Sequence, residues 1–257
     1  MGQTSMLDNT RRFTGRAADY DQYRERYDAS IVLPRLREWC DLTPDWLIAD
    51  IGAGTGMLAD IFLANGNSVF AVEPNAEMRR ACILLHPGQH LLQVVDGTAE
   101  ATTIAAHSID LVCCGRAFHW FDVDQAMAEA RRILRTDGWF VSVAFGRADD
   151  ALDANLAIEA LLRSMTSSGN STRDAYAKYA RLPEFLVRDY RQEQIEGAML
   201  LTWPELLGLM RSLSHSPLPE DPRFPEFEGR LRDVFSRYAV EDRITLATRY
   251  WINVGRF

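Results

Sequence analysis

From about residue 30 onward, short apolar runs alternate with longer amphipathic stretches. Residues 47–51, 68–72, 91–95, 109–114 and 139–145 are apolar runs without clean alternation, and they predict strands covered on both faces. Between them, apolar residues recur three and four apart. Residues 57–64 predict a helix with Leu58, Ile61 and Phe62 on one side. Residues 76–85 predict a second, stopped by His86-Pro87-Gly88. A third follows Asp122 or Asp124, either of which can cap it. It carries Ala126, Met127, Ala130, Ile133 and Leu134 at core spacing, with Arg131, Arg132 and Arg135 near its C-terminus. Thr136-Asp137-Gly138 predicts a turn before the fifth strand. An earlier helix runs from Ser30 or Leu33 to Cys40, with Pro34 tolerable only in its first turn. Strand–helix alternation over residues 47–145 predicts a parallel sheet with right-handed crossovers.

After Gly146 the pattern changes. Residues 152–165 predict a helix, 167–172 a Ser/Gly-rich loop, and 173–181 a short polar helix bearing Tyr176 and Tyr179. Residues 187–200 contain a sixth strand. Thr202-Trp203-Pro204-Glu205 is a capping box that opens a helix to Leu213. Residues 216–225, with four prolines, predict a rigid loop, then a helix over 227–238 and a last strand over 243–254.

Composition narrows the class. With 257 residues and 47% apolar content, the chain suits one large α/β domain, or one with a cap. No run reaches the roughly 18 apolar residues of a membrane span, and residues 1–8 lack an apolar signal core. A cytoplasmic protein with no membrane partner is expected. The four cysteines show neither disulfide nor metal spacing, so reduced thiols and no metal are expected. A net charge of −8 and a pI near 5.2 weigh against bulk binding to nucleic acid. Arg11, Arg12, Arg16, Arg24 and Arg26 are interleaved with Asp19, Asp21 and Glu25, as on a solvated face.

The first apolar run enters Asp50-Ile51-Gly52-Ala53-Gly54-Thr55-Gly56. Glycines here let backbone approach a ligand, which then meets free N–H groups at a helix N-terminus. A dinucleotide fingerprint would need its third glycine at position 57, which is Met57. A nicotinamide oxidoreductase is disfavoured accordingly. The second run ends in Glu73, 17 residues beyond Gly56, where a carboxylate can accept from both hydroxyls of a ribose.

On these residues the chain resembles the class I S-adenosylmethionine-dependent methyltransferases. Their first motif is an acidic residue followed by G-x-G-x-G, matched by Asp50, Gly52, Gly54 and Gly56, with Glu73 as the later acid. The segment F-T-G-R-A-A-D-Y-D-Q-Y-R-E-R-Y resembles the small-molecule branch that includes the trans-aconitate methyltransferases, a type 11 methyltransferase group. The resemblance implies a Rossmann-like seven-stranded α/β sheet with helices on both faces, its last strand antiparallel. A small helical cap would be inserted after strand five. The implied cofactor is S-adenosylmethionine. Asp50, the three glycines, Glu73, Pro74 and Gly115 would hold it, with Thr98 and Ala99 at the adenine and Tyr20 and Arg24 in a segment folding over it. Packing of that segment on the domain is the other reading, with Tyr20, Tyr23 and Tyr27 sharing a helical face. Implied divisions are 1–41 (lid and helix), 42–146 (cofactor core), 147–186 (cap) and 187–257 (completion of the sheet).

Methyl transfer from a sulfonium needs an aligned nucleophile, exclusion of water and, for some acceptors, removal of a proton. In open α/β sheets such chemistry sits beyond the carboxyl ends of the strands, here residues 115–120. His119 is the candidate base, its alternative being a structural histidine bonded to a loop carbonyl. Trp120 can stack on adenine, face a cation or pack in the core. Arg116, where relatives commonly carry glutamine, can meet an anionic substrate or point to solvent. The N-P-P-Y and D-P-P-Y signatures of many amino-methylating enzymes are absent after strand four. A small-molecule acceptor is therefore expected, either a carboxylate or a secondary metabolite. RNA or protein methylation and a non-catalytic cofactor-binding regulator are the alternatives. A monomer or homodimer is expected.

Overall fold

Four of the five residues of the first strand are buried, and the sheet is built outward from it. β1 (Leu47–Ile51) buries Ile48, Ala49, Asp50 and Ile51. The computed structural model describes residues 26–148, 150–165, 177–213 and 216–257. The other strands are β2 (Ser68–Val72), β3 (Leu92–Val95), β4 (Ile109–Gly115), β5 (Leu134–Arg147), β6 (Arg188–Leu201) and β7 (Ile244–Arg256). They form one sheet in the order β3-β2-β1-β4-β5-β7-β6. β1 to β5 are parallel, and β7 runs antiparallel to both β5 and β6.

Helices α1 (Ala29–Cys40), α2 (Ala59–Asn65), α3 (Ala76–Leu85) and α4 (Val123–Ile133) accompany the parallel half. On one face, Val32, Leu36 and Phe62 pack with Ile48, Leu111 and Val143. On the other, Met127, Ile133 and Phe118 pack with Ala49, Val112 and Phe140. Adjacent residues of β1 and β4 thus point into different cores, as pleated strands require. A third core joins α5 (Asp153–Met165), α7 (Trp203–Ser212) and α8 (Phe224–Tyr238) to Ile244 and Leu246 of β7. Asn155 fixes α5 there, its side-chain amide bonding both the N–H and the carbonyl of Ala247 at 3.0 Å. The short α6 (Leu182–Phe185) precedes β6. Residues 166–176, including the Ser/Gly-rich loop and Tyr176, lie outside the described residues.

Several boundaries differ from the sequence reading. α1 begins at Ala29, because Asp28 caps it by accepting the Ser30 N–H at 2.8 Å. Pro34 therefore sits in the second turn, where it leaves only the Ser30 carbonyl without its helical partner. Leu134 and Arg135 belong to β5 rather than to α4. The last carbonyls of α4, those of Arg132 and Ile133, accept from the N–H groups of His107 and Ser108, which ends the helix at Ile133. The turn expected at 136–138 is a bulge within β5: Ile109 pairs with Leu134 and Leu111 with Trp139, so two steps on β4 face five on β5. Finally, α8 opens at Phe224 with Pro225 in its first turn, a position where proline suits a helix. The capping box at Thr202 forms as read, with the Glu205 carboxylate accepting from the Thr202 N–H and hydroxyl at 2.8 and 2.7 Å.

From β1 the chain winds outward through β2 to β3. It returns to β4 on the other side of β1 and continues to β5. The sense reverses between β1 and β4, so a crevice opens beyond their carboxyl ends.

Candidate active site

Gly52 ends β1 and Gly115 ends β4, and the crevice lies between them. A small cavity there is lined by Tyr27, Asp50, Gly52, Ala53, Met57, Leu58, Gly115 and Arg116. The three loop glycines all have positive φ, but for different reasons. A Cβ on Gly52 would lie 2.7 Å from the Ala117 Cβ, and one on Gly56 would lie 2.8 Å from the His86 ring. Those two glycines are required by the protein's own packing. A Cβ on Gly54 would meet nothing within 4 Å. Its open side is the part of the loop that a ligand can approach.

Asp50 is fully buried, and neither carboxylate oxygen meets a hydrogen-bond partner among the described residues. Burial pushes its carboxyl up to about 7. The neighbouring Ala59 N–H and Cys113 thiol pull the other way without reaching hydrogen-bond geometry. A buried carboxylate in this condition is costly by itself and suits a cationic group. Thr55, in the same loop, also buries its hydroxyl oxygen without a partner.

Glu73 closes the loop from β2. One oxygen accepts the Gly54 N–H at 2.9 Å and the other the Asn75 N–H at 2.8 Å. Burial raises its carboxyl, while these two bonds and the nearby Arg79 lower it. A carboxylate offers about four lone-pair sites, so each oxygen keeps room for one more donor. Arg79 bonds the carbonyls of Glu73 and Pro74 at 2.9 and 2.7 Å and holds this turn in place. The turn after β3 is closed by paired backbone bonds between Thr98 and Ala101, and Ala99 is buried in the second core.

At the end of β4, Arg116 takes a left-handed φ of 52°. Its guanidinium lies 5.1 Å from the Tyr27 ring centroid and 3.6 Å from the Met57 Sδ. Tyr27 was read from sequence only as one of several aromatics on a helical face. It is one of the residues that wall the cavity. Its hydroxyl donates to the Val143 carbonyl at 3.5 Å and stands 2.6 Å from where a Cβ on Gly115 would be. Phe145 packs against its ring, and Phe145 in turn stacks on Tyr250, whose hydroxyl accepts the Asp28 N–H. The sequence signal for Tyr27 is its place directly before the α1 cap, which fixes where its ring can go.

His119 and Trp120 lie in a 3-10 turn (Phe118–Trp120), half-buried, with ring centroids 4.6 Å apart. Neither lines the cavity. Phe118, between the turn and the second core, touches Tyr179 at 5.2 Å, so the chain after β5 does return to this loop. Tyr20 and Arg24 lie outside the described residues. The structure thus brings Asp50, Gly52, Gly115 and Arg116 to one cavity and sets Gly54 and Glu73 beside it through a direct bond. No cluster of three or more potential metal ligands occurs among the described residues.

This combination suits a ribose-bearing ligand with a cationic end: an acid with spare acceptors, an open glycine and a buried unpartnered carboxylate. Comparison with known proteins agrees. The methyltransferase domain family matches residues 49–142. An uncharacterised methyltransferase of Mycobacterium tuberculosis is 30% identical over 178 residues, which cover 66% of this chain and 68% of that one. A malonyl-[acyl-carrier protein] O-methyltransferase of Methylococcus capsulatus is 32% identical over 108 residues, 41% of this chain and 39% of that one. Among solved structures, a putative type II methyltransferase from Anaeromyxobacter dehalogenans shares the fold. Its TM-score is 0.64 at 20% identity, covering 91% of this chain and 98% of that one. The chain belongs to the class I S-adenosylmethionine-dependent methyltransferases.

Proposed function

We propose that the chain methylates a small-molecule acceptor in the crevice beyond β4 and β5. The observation that carries this reading is the Asp50 cavity: a buried, unpartnered carboxylate beside an open glycine, walled by Tyr27. Asp50 would face the cationic amino group of the cofactor, Gly54 would leave room for its backbone approach, and Glu73 would take the ribose hydroxyls. Pro74, Gly115 and the turn at Thr98 and Ala99 would complete the binding surface, with Tyr20 and Arg24 supplied from the N-terminal segment. When bound, the sulfonium supplies a methyl group that is already activated.

The remaining work falls to the chain's own residues. They align the acceptor and exclude water. Tyr27 and Met57 supply the apolar wall that does so at the end of β4. His119 is the imidazole on the strand-four loop and would take the proton from acceptors that must lose one. Trp120 beside it offers an aromatic surface. The net charge of −8 favours a small acceptor over RNA.

Calorimetry with S-adenosylmethionine and its demethylated product tests the reading. One-to-one binding with a raised melting temperature is expected, together with methyl transfer to members of a small-molecule panel. Tight NADH binding with no response to either sulfur compound would overturn it. Cofactor binding without transfer to any acceptor would make the chain a cofactor-dependent regulator instead.

A further inference from the structure

Glu129 is a buried carboxylate that the site described above does not use. It stands on α4, one turn before the end of that helix, and grips the chain that follows β3. Its Oε1 accepts the Thr102 N–H at 2.8 Å and the Thr102 hydroxyl at 2.6 Å. Arg132 completes the bracket, donating to Oε2 at 2.6 Å and to Oε1 at 2.8 Å. The same guanidinium donates to the Ile104 carbonyl at 2.7 Å. The bond from Arg132, with help from Thr102, holds the Glu129 carboxyl down at about 2, so the bracket is ionised at neutral pH.

The bracket acts where the backbone is strained. Thr103, between its two anchor points, has a φ of 63°. A β-branched residue is an outlier in that region and stays there only when its neighbours hold it. Glu129 holds Thr102, while Arg132 and burial in the second core hold Ile104. Glu100 adds another tie to α4, accepting the Asp122 N–H at 2.9 Å. The turn over Thr98 and Ala99 rests against the first anchor, since a Cβ on Gly97 would lie 3.0 Å from the Thr102 carbonyl oxygen. Within the turn, Thr98 and Ala101 take up each other's N–H groups, and the Ala99 N–H has no partner among the described residues. Such a donor suits adenine, whose N1 accepts, and not hypoxanthine, whose N1 carries a hydrogen.

We propose that Glu129, braced by Arg132, is the positioning residue of the base-binding turn: it touches no ligand, but it fixes Thr102 and so sets the Ala99 N–H where adenine is told from other purines. This rests on the reading above that places the adenine at Thr98 and Ala99. With Thr102 held, the turn is pre-organised for one base. With Thr102 released, the strain at Thr103 relaxes and the turn can shift, so affinity and discrimination fall together.

The test compares wild type, Glu129→Ala, Glu129→Gln and Phe227→Ala, each shown to be folded at the temperature used. Calorimetry gives the dissociation constants of the demethylated cofactor and of its inosine counterpart, in which oxygen replaces the 6-amino group of the base. Wild type should prefer the adenine form by about tenfold or more. Glu129→Ala should weaken binding of the adenine form about tenfold and cut the preference to within about threefold. Glu129→Gln keeps an oxygen for both Thr102 donors and should retain most of the preference. Phe227→Ala, altered in the third core away from this turn, should keep it whole. A folded Glu129→Ala with the wild-type preference would overturn the proposal. So would an equal loss of preference in Phe227→Ala, which would make the effect one of general stability, or a wild type that binds both forms alike. Failure of wild type to bind either form would instead overturn the methyltransferase reading, which the first titration reports separately.

Discussion

The three loop glycines look equivalent in sequence, yet the space around each differs. Gly54→Val would project into open space. It would cost about 1–2 kcal/mol for a branched residue at positive φ and leave the fold intact, while cofactor binding, read by calorimetry, should be lost. Gly52→Val would drive a Cβ to 2.7 Å from Ala117 and should lower the melting temperature far more. A folded Gly54→Val that binds the cofactor as wild type does would mean that the open side of Gly54 is not a ligand site. For Glu73→Ala, roughly 1–3 kcal/mol of cofactor affinity should go with the ribose acceptors, and the loop loses the anchor on the Gly54 N–H as well. Asp50 gives a pH test. Its folded-state value near 7 stands above the ordinary 3.8, so the fold prefers the protonated form. That stability is fully present below about pH 3.8 and is lost as pH rises through 7. Between pH 5 and 8 the melting temperature of the cofactor-free protein should fall, and Asp50→Asn should flatten this dependence. The acidic and glycine positions were legible in the sequence because their spacing is local. The unpartnered state of Asp50 was not, since it depends on what β4 and α2 leave around it.

At the scale of elements, the strand and helix order could be read because apolar runs and helical spacing are local signals. The errors fell at junctions where one residue serves two elements equally. Leu134 is buried in the second core whether it ends a helix or starts a strand, so periodicity could not assign it. The bonds from His107 and Ser108 to the end of α4 decided it, and they come from a distant loop. A contact that no spacing could reveal joins α2, α3 and the chain before α1. His86, after α3, bonds the Cys82 carbonyl through Nδ1 at 2.6 Å and Asp60 of α2 through Nε2 at 2.7 Å. Both partners are acceptors, so both ring nitrogens must donate, and the ring is an imidazolium. Arg26 reaches the other oxygen of Asp60 at 3.3 Å. The Asp60 hydrogen bond, with help from Cys82, raises the His86 value from 6.5 to about 10. The stabilisation is therefore complete below pH 6.5 and is lost as pH rises through about 10. Ring nitrogen NMR shifts should show His86 doubly protonated through pH 8, and Asp60→Asn should bring its titration back towards neutrality. A wild-type ring that loses its proton near pH 6.5 would show that the pair does not form in solution.

Across the whole molecule, the work is divided between two halves of one sheet. The parallel half, β1 to β5, carries the switch point and every described residue of the candidate site. The antiparallel edge, β7 and β6, is covered at one end by α5, α7 and α8, which share a core of their own. That core meets the cofactor half through β7, whose Tyr250 stacks on Phe145 behind Tyr27 and caps the approach to α1. Sequence composition foresaw extra helices after β5 but not that α5 would pack with α7 and α8, because three amphipathic helices can face a sheet in many arrangements. Phe227 lies at the centre of this core and is fully buried. Phe227→Ala should lower the unfolding free energy by about 3–5 kcal/mol, seen as a lower urea midpoint. At low denaturant, where the variant is still folded, affinity for the demethylated cofactor should stay within about twofold. The reason is distance in contacts: no residue lining the cavity belongs to this core. If affinity fell in step with stability, the Tyr250–Phe145–Tyr27 stack would be transmitting the packing defect, and the third core would be part of the binding apparatus. The variant Tyr250→Leu would then reproduce the loss of affinity with the helical core left whole.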